Sequence, residues 1–257
     1  MRAPWRKSLY NKPRAGHRPE ERSIGTRMTI AENIARIREN MAAAAREAGR
    51  DPKEILLVGA SKMNDAAACR AAIAAGIDAL GENRVQEMVQ KLEEHAYDGA
   101  PLHFIGHLQR NKVKQVVGHV ALIQSVGSLE LLDEIEKVAA ARDLVQDILL
   151  EVNIGREAAK SGFAPEDVLA GAETALERPH VRVRGLMTIP PADAERDANF
   201  RYFQEVQALY VDMNKKLFHN ELEYLSMGMS GDYEDAIRAG ATMVRVGSAI
   251  FGARHYN

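Results

Sequence analysis

The chain has 257 residues, 46% hydrophobic and 27% charged, with a formal net charge of −2. This composition is that of an ordinary soluble globular protein, and no apolar run approaches the roughly 18 residues that a membrane span needs. A single cysteine, Cys69, excludes an internal disulfide and is typical of a reducing compartment, so the sequence predicts a cytoplasmic protein that does not associate with membranes.

The first 27 residues differ in composition from the rest of the chain. They contain eight Lys and Arg and two acids, together with Pro4, Pro13 and Pro19, and they show no hydrophobic periodicity. We predict that residues 1–27 are a disordered basic extension and that residues 28–257 form one folded domain. A transit peptide and an upstream start codon are the alternative interpretations. The predicted domain has 26 basic and 34 acidic side chains, a balance that argues against nucleic-acid binding.

The folded part is expected to begin with a capped helix, because Thr29 and Glu32 have the spacing of a capping box and an apolar stripe continues to Met41. After Gly49, strand-like and helix-like segments alternate. The predicted strands are 55–61, 79–81, 102–106, 121–125, 147–154, 181–189, 222–227 and 243–246. The predicted helices between them are 65–75, 84–95, 112–118, 129–142, 165–176, 194–218 and 233–239.

Eight strands that alternate with helices predict a parallel sheet, either as a (β/α)8 barrel or as a doubly wound sheet. The length that remains after residue 27 is usual for a barrel. No glycine-rich dinucleotide fingerprint follows the first strand, where Gly59 and Gly76 are isolated. We therefore predict an α/β fold, a single-domain (β/α)8 TIM barrel, with its reactive groups at the carboxyl ends of the strands.

The first predicted strand ends in a lysine, in the order Ala60-Ser61-Lys62. Side chains alternate along a strand, so if Val58 and Ala60 fill the barrel interior, Lys62 points into the mouth and presents a nucleophilic amine there. A structural salt bridge at the rim explains this strand alone equally well.

Small residues and hydroxyls follow the last two predicted strands, in the segments 226–232 and 247–252. Glycines let backbone N–H groups approach an anion closely, and phosphate sites after strands seven and eight recur in (β/α)8 barrels. These segments therefore predict a phosphate site, with helix capping by the glycines as the alternative.

Arg245 lies in the last strand between Val244 and Val246, so it points inward if the valines pack on the outer helices. Closure of the barrel would place it beside the strand of Lys62. A buried guanidinium needs an anion or an acceptor, and a pyridine nitrogen would supply one. An amine, a phosphate site and an inward arginine together fit pyridoxal 5′-phosphate (PLP) better than a sugar phosphate.

Seven short segments form a pattern that runs from about Met28 to Ala253. They are VGASK at 58–62, GENRVQE at 81–87, HFIGHLQRNK at 103–112, EVNI at 151–154, GLMTIPP at 185–191, SMGMSGD at 226–232 and VRVGSAIFG at 244–252. Together they resemble the YggS/PROSC family of pyridoxal phosphate homeostasis proteins. The resemblance implies a barrel of the alanine racemase N-terminal-domain type that binds PLP.

The resemblance also implies a role for individual residues. Lys62 would form an imine with PLP, Arg245 would face the ring nitrogen, and Asn83 would line the ring pocket. Asn153 and Met187 are further pocket candidates. The residues implied around the phosphate, by side chain or backbone, are Ser226, Met227, Gly247 and Ser248.

Three functions are consistent with these residues. The resemblance implies a non-enzymatic carrier and regulator of PLP in vitamin B6 and amino-acid homeostasis, expected to be a monomer, with PLP-dependent apo-enzymes as candidate partners. The alternative is a PLP-dependent amino-acid racemase. Alanine racemase, however, uses a tyrosine from an additional β domain, which we do not expect here because the sequence ends soon after strand eight. Tyr233 is a poor substitute for that tyrosine.

A Schiff-base aldolase is the third function, and it leaves Arg245 without a role. We expect no catalytic residue. We also expect no metal site, because His103 and His107 lie on a strand and its following loop rather than on one helical face.

Overall fold

The computed structural model describes residues 28–191 and 194–252, and the extension predicted at residues 1–27 lies outside these ranges. Eight parallel strands close into a barrel in chain order, with the last strand paired to the first. The strands are β1 (Leu56–Ala60), β2 (Ala79–Glu82), β3 (Leu102–Phe104), β4 (Leu122–Val126), β5 (Gln146–Val152), β6 (Val181–Thr188), β7 (Tyr224–Ser226) and β8 (Met243–Val246). The predicted (β/α)8 barrel is confirmed.

Helices surround the barrel. In the described ranges they are α1 (Ile30–Glu47), α2 (Ala66–Ala74), α3 (Val85–Glu93), α4 (Leu129–Ala141), α5 (Val168–Leu176), α6 (Arg196–Leu217), α7 (Tyr233–Arg238) and α8 (Ser248–Phe251). None of these helices has the length and apolarity to cross a bilayer. The helix predicted at 112–118 is instead a 3₁₀-helix at Arg110–Gln115. The branched Val113, Val116 and Val117, followed by Gly118 at φ +77°, leave too little favourable sequence for an α-helix.

The first helix closes the outer ring. Its N-terminus has the predicted capping box: the Thr29 hydroxyl accepts from the Glu32 N–H at 3.2 Å, and the Glu32 carboxylate accepts from the Thr29 N–H at 2.7 Å. Helix α1 packs against α2, α7 and α8. Its buried side chains, among them Ile37 and Met41, join the hydrophobic cluster that also contains Leu57 and Val244.

Two layers of side chains follow from the alternation along each strand. One layer packs between the strands and the helices and includes Leu57, Val244 and Val246. The other fills the barrel interior with the side chains of Val58, Ala79, Leu122, Leu149, Met187 and Met243. These apolar residues form a floor, and the polar side chains described next lie above it, toward the carboxyl ends of the strands.

Candidate cofactor site at the barrel mouth

Lys62 lies two residues beyond the end of β1 and is half-buried. Val58 belongs to the interior layer, as predicted, so alternation through Ala60 directs Lys62 toward the mouth. The backbone around it is fixed on both sides. The Ser61 N–H donates to the Gly81 carbonyl at 3.0 Å, and the Asn64 side chain donates to the Lys62 carbonyl at 3.0 Å.

Arg245 points into the barrel, while Val244 and Val246 pack outside, as predicted. Its side chain donates to the Ser226 hydroxyl at 2.5 Å and to the Thr188 carbonyl at 2.9 Å. Burial lowers the pKa of Arg245 to about 10, although Glu151 and Asp232 act in the opposite direction. The guanidinium is therefore charged at neutral pH. Register pairs Arg245 with Val58, so strand β8 lies beside the strand that leads to Lys62.

A chain of hydrogen bonds crosses the barrel above its floor. The Ser226 hydroxyl donates to the side-chain oxygen Oε1 of Gln124 at 2.7 Å, and the Gln124 side-chain nitrogen donates to His103 Nδ1 at 3.0 Å and to Met243 Sδ at 3.1 Å. Burial lowers the pKa of His103 to about 4, so the ring is neutral and Nδ1 can accept. This chain orients Ser226 toward Arg245, and sequence reasoning did not find Gln124 or His103 as members of it.

The segments after β7 and β8 meet at a serine hydroxyl. Ser230 accepts from the Gly247 N–H at 3.2 Å and from the Ala249 N–H at 3.4 Å. The side chain of Ser248, the first residue of α8, is exposed beside them. Two backbone N–H groups that converge on one oxygen can also bind an anionic oxygen. We call Ser230, Gly247, Ser248 and Ala249 the anion cup.

Two residues implied at the phosphate lie deeper than the anion cup. The Met227 N–H donates to the Met243 carbonyl at 3.1 Å within the sheet, and the Ser226 hydroxyl is bonded to Arg245 and Gln124. Their contact with a phosphate stays a prediction. The structure places Ser230 in the cup instead, a residue inside the predicted segment 226–232 that sequence reasoning did not single out.

Asn83 follows β2 and lines a cavity of about 390 Å³ at the mouth. Its side-chain oxygen is buried and has no hydrogen-bond partner among the described residues. Gly106 lies so close that a Cβ there would come within 2.2 Å of the Asn83 carbonyl oxygen, so only glycine fits. An unpartnered buried acceptor beside a cavity fits a ligand that carries a hydroxyl donor.

Glu151 and Asn153 also line this cavity. Burial raises the pKa of Glu151, although the Ser161 hydroxyl, Arg245 and His107 act to lower it. Asn153 lines the cavity as expected, whereas Met187 is fully buried in the floor below. Sequence reasoning missed Glu151 as a site residue, although it lies in the segment EVNI that the resemblance had used.

The barrel and the site define a class of protein. The family model described as "Alanine racemase, N-terminal domain" matches residues 33–255. The structure is also similar to an alanine racemase of Clostridium difficile, with a TM-score of 0.68 and 16% sequence identity over 89% of this chain and 57% of that one. At this identity the likeness shows the fold alone. The chain has the N-terminal barrel of the alanine racemase class.

Closer relatives identify the family within this class. The chain is 43% identical to the pyridoxal phosphate homeostasis protein of Pseudomonas aeruginosa, over 89% of this chain and 97% of that protein. It is 31% identical to PipY of Synechococcus elongatus, solved with PLP bound, over 87% of this chain and 100% of that one, with a TM-score of 0.76. This chain belongs to the family of pyridoxal phosphate homeostasis proteins, and the family predicted from the seven segments is confirmed.

Proposed function

We propose that this chain binds PLP through Lys62 and acts as a non-enzymatic carrier and regulator of PLP. The observation that carries the proposal is the buried, charged Arg245, fixed by Ser226 and Thr188 on the strand next to that of Lys62. Family membership supports it, because the Pseudomonas relative is named for PLP homeostasis and PipY was solved with PLP bound.

The residues present fit the chemical groups of PLP. The anion cup suits the phosphate, the Arg245 guanidinium can donate to the ring nitrogen, and the unpartnered oxygen of Asn83 can accept from the ring hydroxyl. PLP supplies an aldehyde carbon. The Lys62 amine would add to that carbon with loss of water, so that a C=N bond would replace the C=O bond and no oxidant or reductant would be needed.

The charge on Arg245 argues against strong amino-acid chemistry. A guanidinium with a pKa of about 10 donates rather than accepts at neutral pH, so it keeps the ring nitrogen unprotonated. An unprotonated ring withdraws electrons less strongly from a bound amino acid. The site is therefore better suited to holding PLP than to stabilising a carbanion.

The racemase alternative needs a second acid or base opposite Lys62, and Tyr233 was the tyrosine expected near the mouth. Its side chain is 6% exposed, and its hydroxyl accepts from the Asn40 side chain of α1 at 3.0 Å. Tyr97 and Tyr210 are also bonded elsewhere, to Glu82 and to the Leu222 carbonyl. Among the residues that the structure describes, no tyrosine lines the cavity beside Asn83. This arrangement supports the carrier.

The decisive experiment for the carrier is a racemisation assay with protein saturated in PLP, using alanine, serine and other amino acids. We expect turnover below about 1 s⁻¹, the low end of ordinary enzymes, because the charged Arg245 disfavours a carbanion and no described tyrosine lines the cavity beside Asn83. Faster turnover would contradict the carrier and favour the racemase. As further parts of the proposal, we infer that the protein is a monomer and passes PLP to apo-enzymes.

A further inference from the structure

A buried polar network lies behind Lys62, between the strands and helix α3, outside the cofactor cavity. The Glu82 carboxylate accepts from the Ser61 hydroxyl at 2.6 Å, from the Lys91 ammonium at 2.6 Å and from the Tyr97 hydroxyl at 3.1 Å. Lys91 also donates to the Glu87 carboxylate at 2.8 Å. None of these side chains has a part in the proposed binding of PLP.

Lys91 is the centre of this network, and it is only 4% exposed. An ammonium has three protons, and Lys91 has three acceptors: Glu82, Glu87 and the Ser61 carbonyl at 2.9 Å. Burial acts to lower the pKa of Lys91, but the two carboxylates outweigh it and raise the pKa. Lys91 is therefore a charged, fully bonded group that fixes the carbonyl of the residue before Lys62.

The residue after Lys62 is fixed by the same network. The Met63 N–H donates to the Glu87 carboxylate at 2.5 Å. Met63 has φ +62°, a left-handed conformation that a methionine rarely adopts, and its side chain is 49% exposed. Such a conformation persists only when surrounding contacts enforce it. The Asn64 N–H closes a turn on the Ser61 carbonyl at 3.1 Å, and because little packing holds the Met63 side chain, the Glu87 hydrogen bond is the side-chain contact that holds this conformation.

We propose that Glu87 and Lys91 are positioning residues for Lys62. They hold the backbone on both sides of Lys62, and they thereby direct its amine to the place where the PLP aldehyde is bound. The inference rests on the proposed role of Lys62. A reacting group displaced by about 1 Å can react roughly a hundredfold more slowly. Loss of the hydrogen bond on one side of Lys62 should therefore slow imine formation measurably.

Three variants of helix α3 test the proposal. Glu87→Ala removes the acceptor of the Met63 N–H but leaves the Lys91–Glu82 pair intact. Glu87→Gln restores a neutral acceptor at the same place. Glu93→Ala makes the same charge change at an exposed position of the same helix and is the matched control.

The measurement separates imine formation from binding. PLP is mixed with each variant, and the rate at which the imine absorbance band grows is followed from neutral to alkaline pH. Affinity for pyridoxine 5′-phosphate is measured in parallel, because this ligand has the ring and the phosphate but an alcohol in place of the aldehyde. We expect Glu87→Ala to slow imine formation by about tenfold and to change its pH profile, with unchanged affinity for pyridoxine 5′-phosphate. Glu87→Gln should recover most of the rate, and Glu93→Ala should match the unaltered protein.

Two results would overturn the proposal. One is imine formation by Glu87→Ala at the unaltered rate and pH profile. The other is a parallel loss of imine formation, pyridoxine 5′-phosphate affinity and melting temperature, which indicates a structural role alone. Should Glu87→Ala fail to fold, Glu87→Asp keeps the charge but withdraws the carboxylate from Met63, and it is expected to slow imine formation likewise. Absence of an imine in the unaltered protein would instead refute the role of Lys62.

Discussion

Two serines near the carboxyl end of β7, Ser226 and Ser230, lie in different surroundings. Ser226 is fully buried, accepts from Arg245 and donates to Gln124, so its hydroxyl proton and one lone pair are already used. Ser230 is half-buried and accepts from two backbone N–H groups at the start of α8. When a phosphate binds, these two N–H groups can donate to a phosphate oxygen instead of to Ser230, and the Ser230 hydroxyl can donate to the same oxygen.

The two serines therefore give opposite predictions for phosphate recognition. Ser230→Ala should lower affinity for PLP by about tenfold, the value of one hydrogen bond to a charged group, but should leave affinity for unphosphorylated pyridoxal unchanged. Ser226→Ala should change both affinities by the same factor, because it acts through Arg245 and the ring. Titration of both variants with both ligands measures these ratios. If Ser226→Ala, and not Ser230→Ala, lowered the affinity for PLP without lowering that for pyridoxal, the phosphate contact would belong to Ser226.

His103 gives the barrel a dependence on pH. Burial lowers its pKa to about 4, from an ordinary value of 6.5. The unfolded chain therefore takes up a proton at a higher pH than the folded chain does. As far as His103 is concerned, the free energy of unfolding is highest above about pH 6.5. It falls by up to about 3 kcal/mol as the pH falls through 6.5 toward 4.

Replacement of this ring should reduce that pH dependence. In His103→Gln, the free energy of unfolding should fall less between neutral and mildly acidic pH than it does in the unaltered protein, because no buried imidazole must be kept neutral. Urea denaturation at several pH values measures the free energy of unfolding of both proteins. The buried Glu151 is present in both, so its own titration does not contribute to the difference between them. His119→Gln, at an exposed position, is the control. Equal pH dependence in His103→Gln and the unaltered protein would contradict the assignment.

At the scale of the elements, the sequence was a good guide wherever local pattern decides the outcome. All eight strands were predicted within two residues at both ends, because each is a short apolar run between turn residues. Alternation also predicted correctly that Val58 and Arg245 face the interior. The helix predicted at 112–118 was wrong in type, since three valines and Gly118 make it a 3₁₀-helix at Arg110–Gln115.

Contacts between distant segments were beyond local pattern. Gln124 and Ser226 are 102 residues apart, and Lys91 reaches the Ser61 carbonyl across 30 residues, so neither hydrogen bond has a local signal. A glutamine in the apolar run of β4 and a lysine on the buried face of α3 were the only visible signs. Lys62, Asn83, Gly247 and Ser248 follow the carboxyl ends of their strands, and their contact with PLP stays a prediction.

At the scale of the whole molecule, closure of the barrel assembles the site. The pairing of β8 with β1 brings the strand of Arg245 next to the strand that leads to Lys62, and the segments after β7 and β8 meet at the anion cup. Residues nearly two hundred positions apart in sequence thus become parts of one site. The same fold occurs in PipY, solved with PLP bound, and in an alanine racemase, so the fold alone does not determine function.

The central claim is that Lys62 carries PLP, and borohydride labelling tests it most directly. The protein is loaded with PLP, its imine is reduced to a stable secondary amine, and the labelled peptide is identified by mass spectrometry. We predict a yellow protein with one label, on the peptide that contains Lys62. Lys62→Ala should lose both the band and the label while it still binds pyridoxine 5′-phosphate through the anion cup. A label on another lysine, or an imine band that persists in Lys62→Ala, would contradict the account.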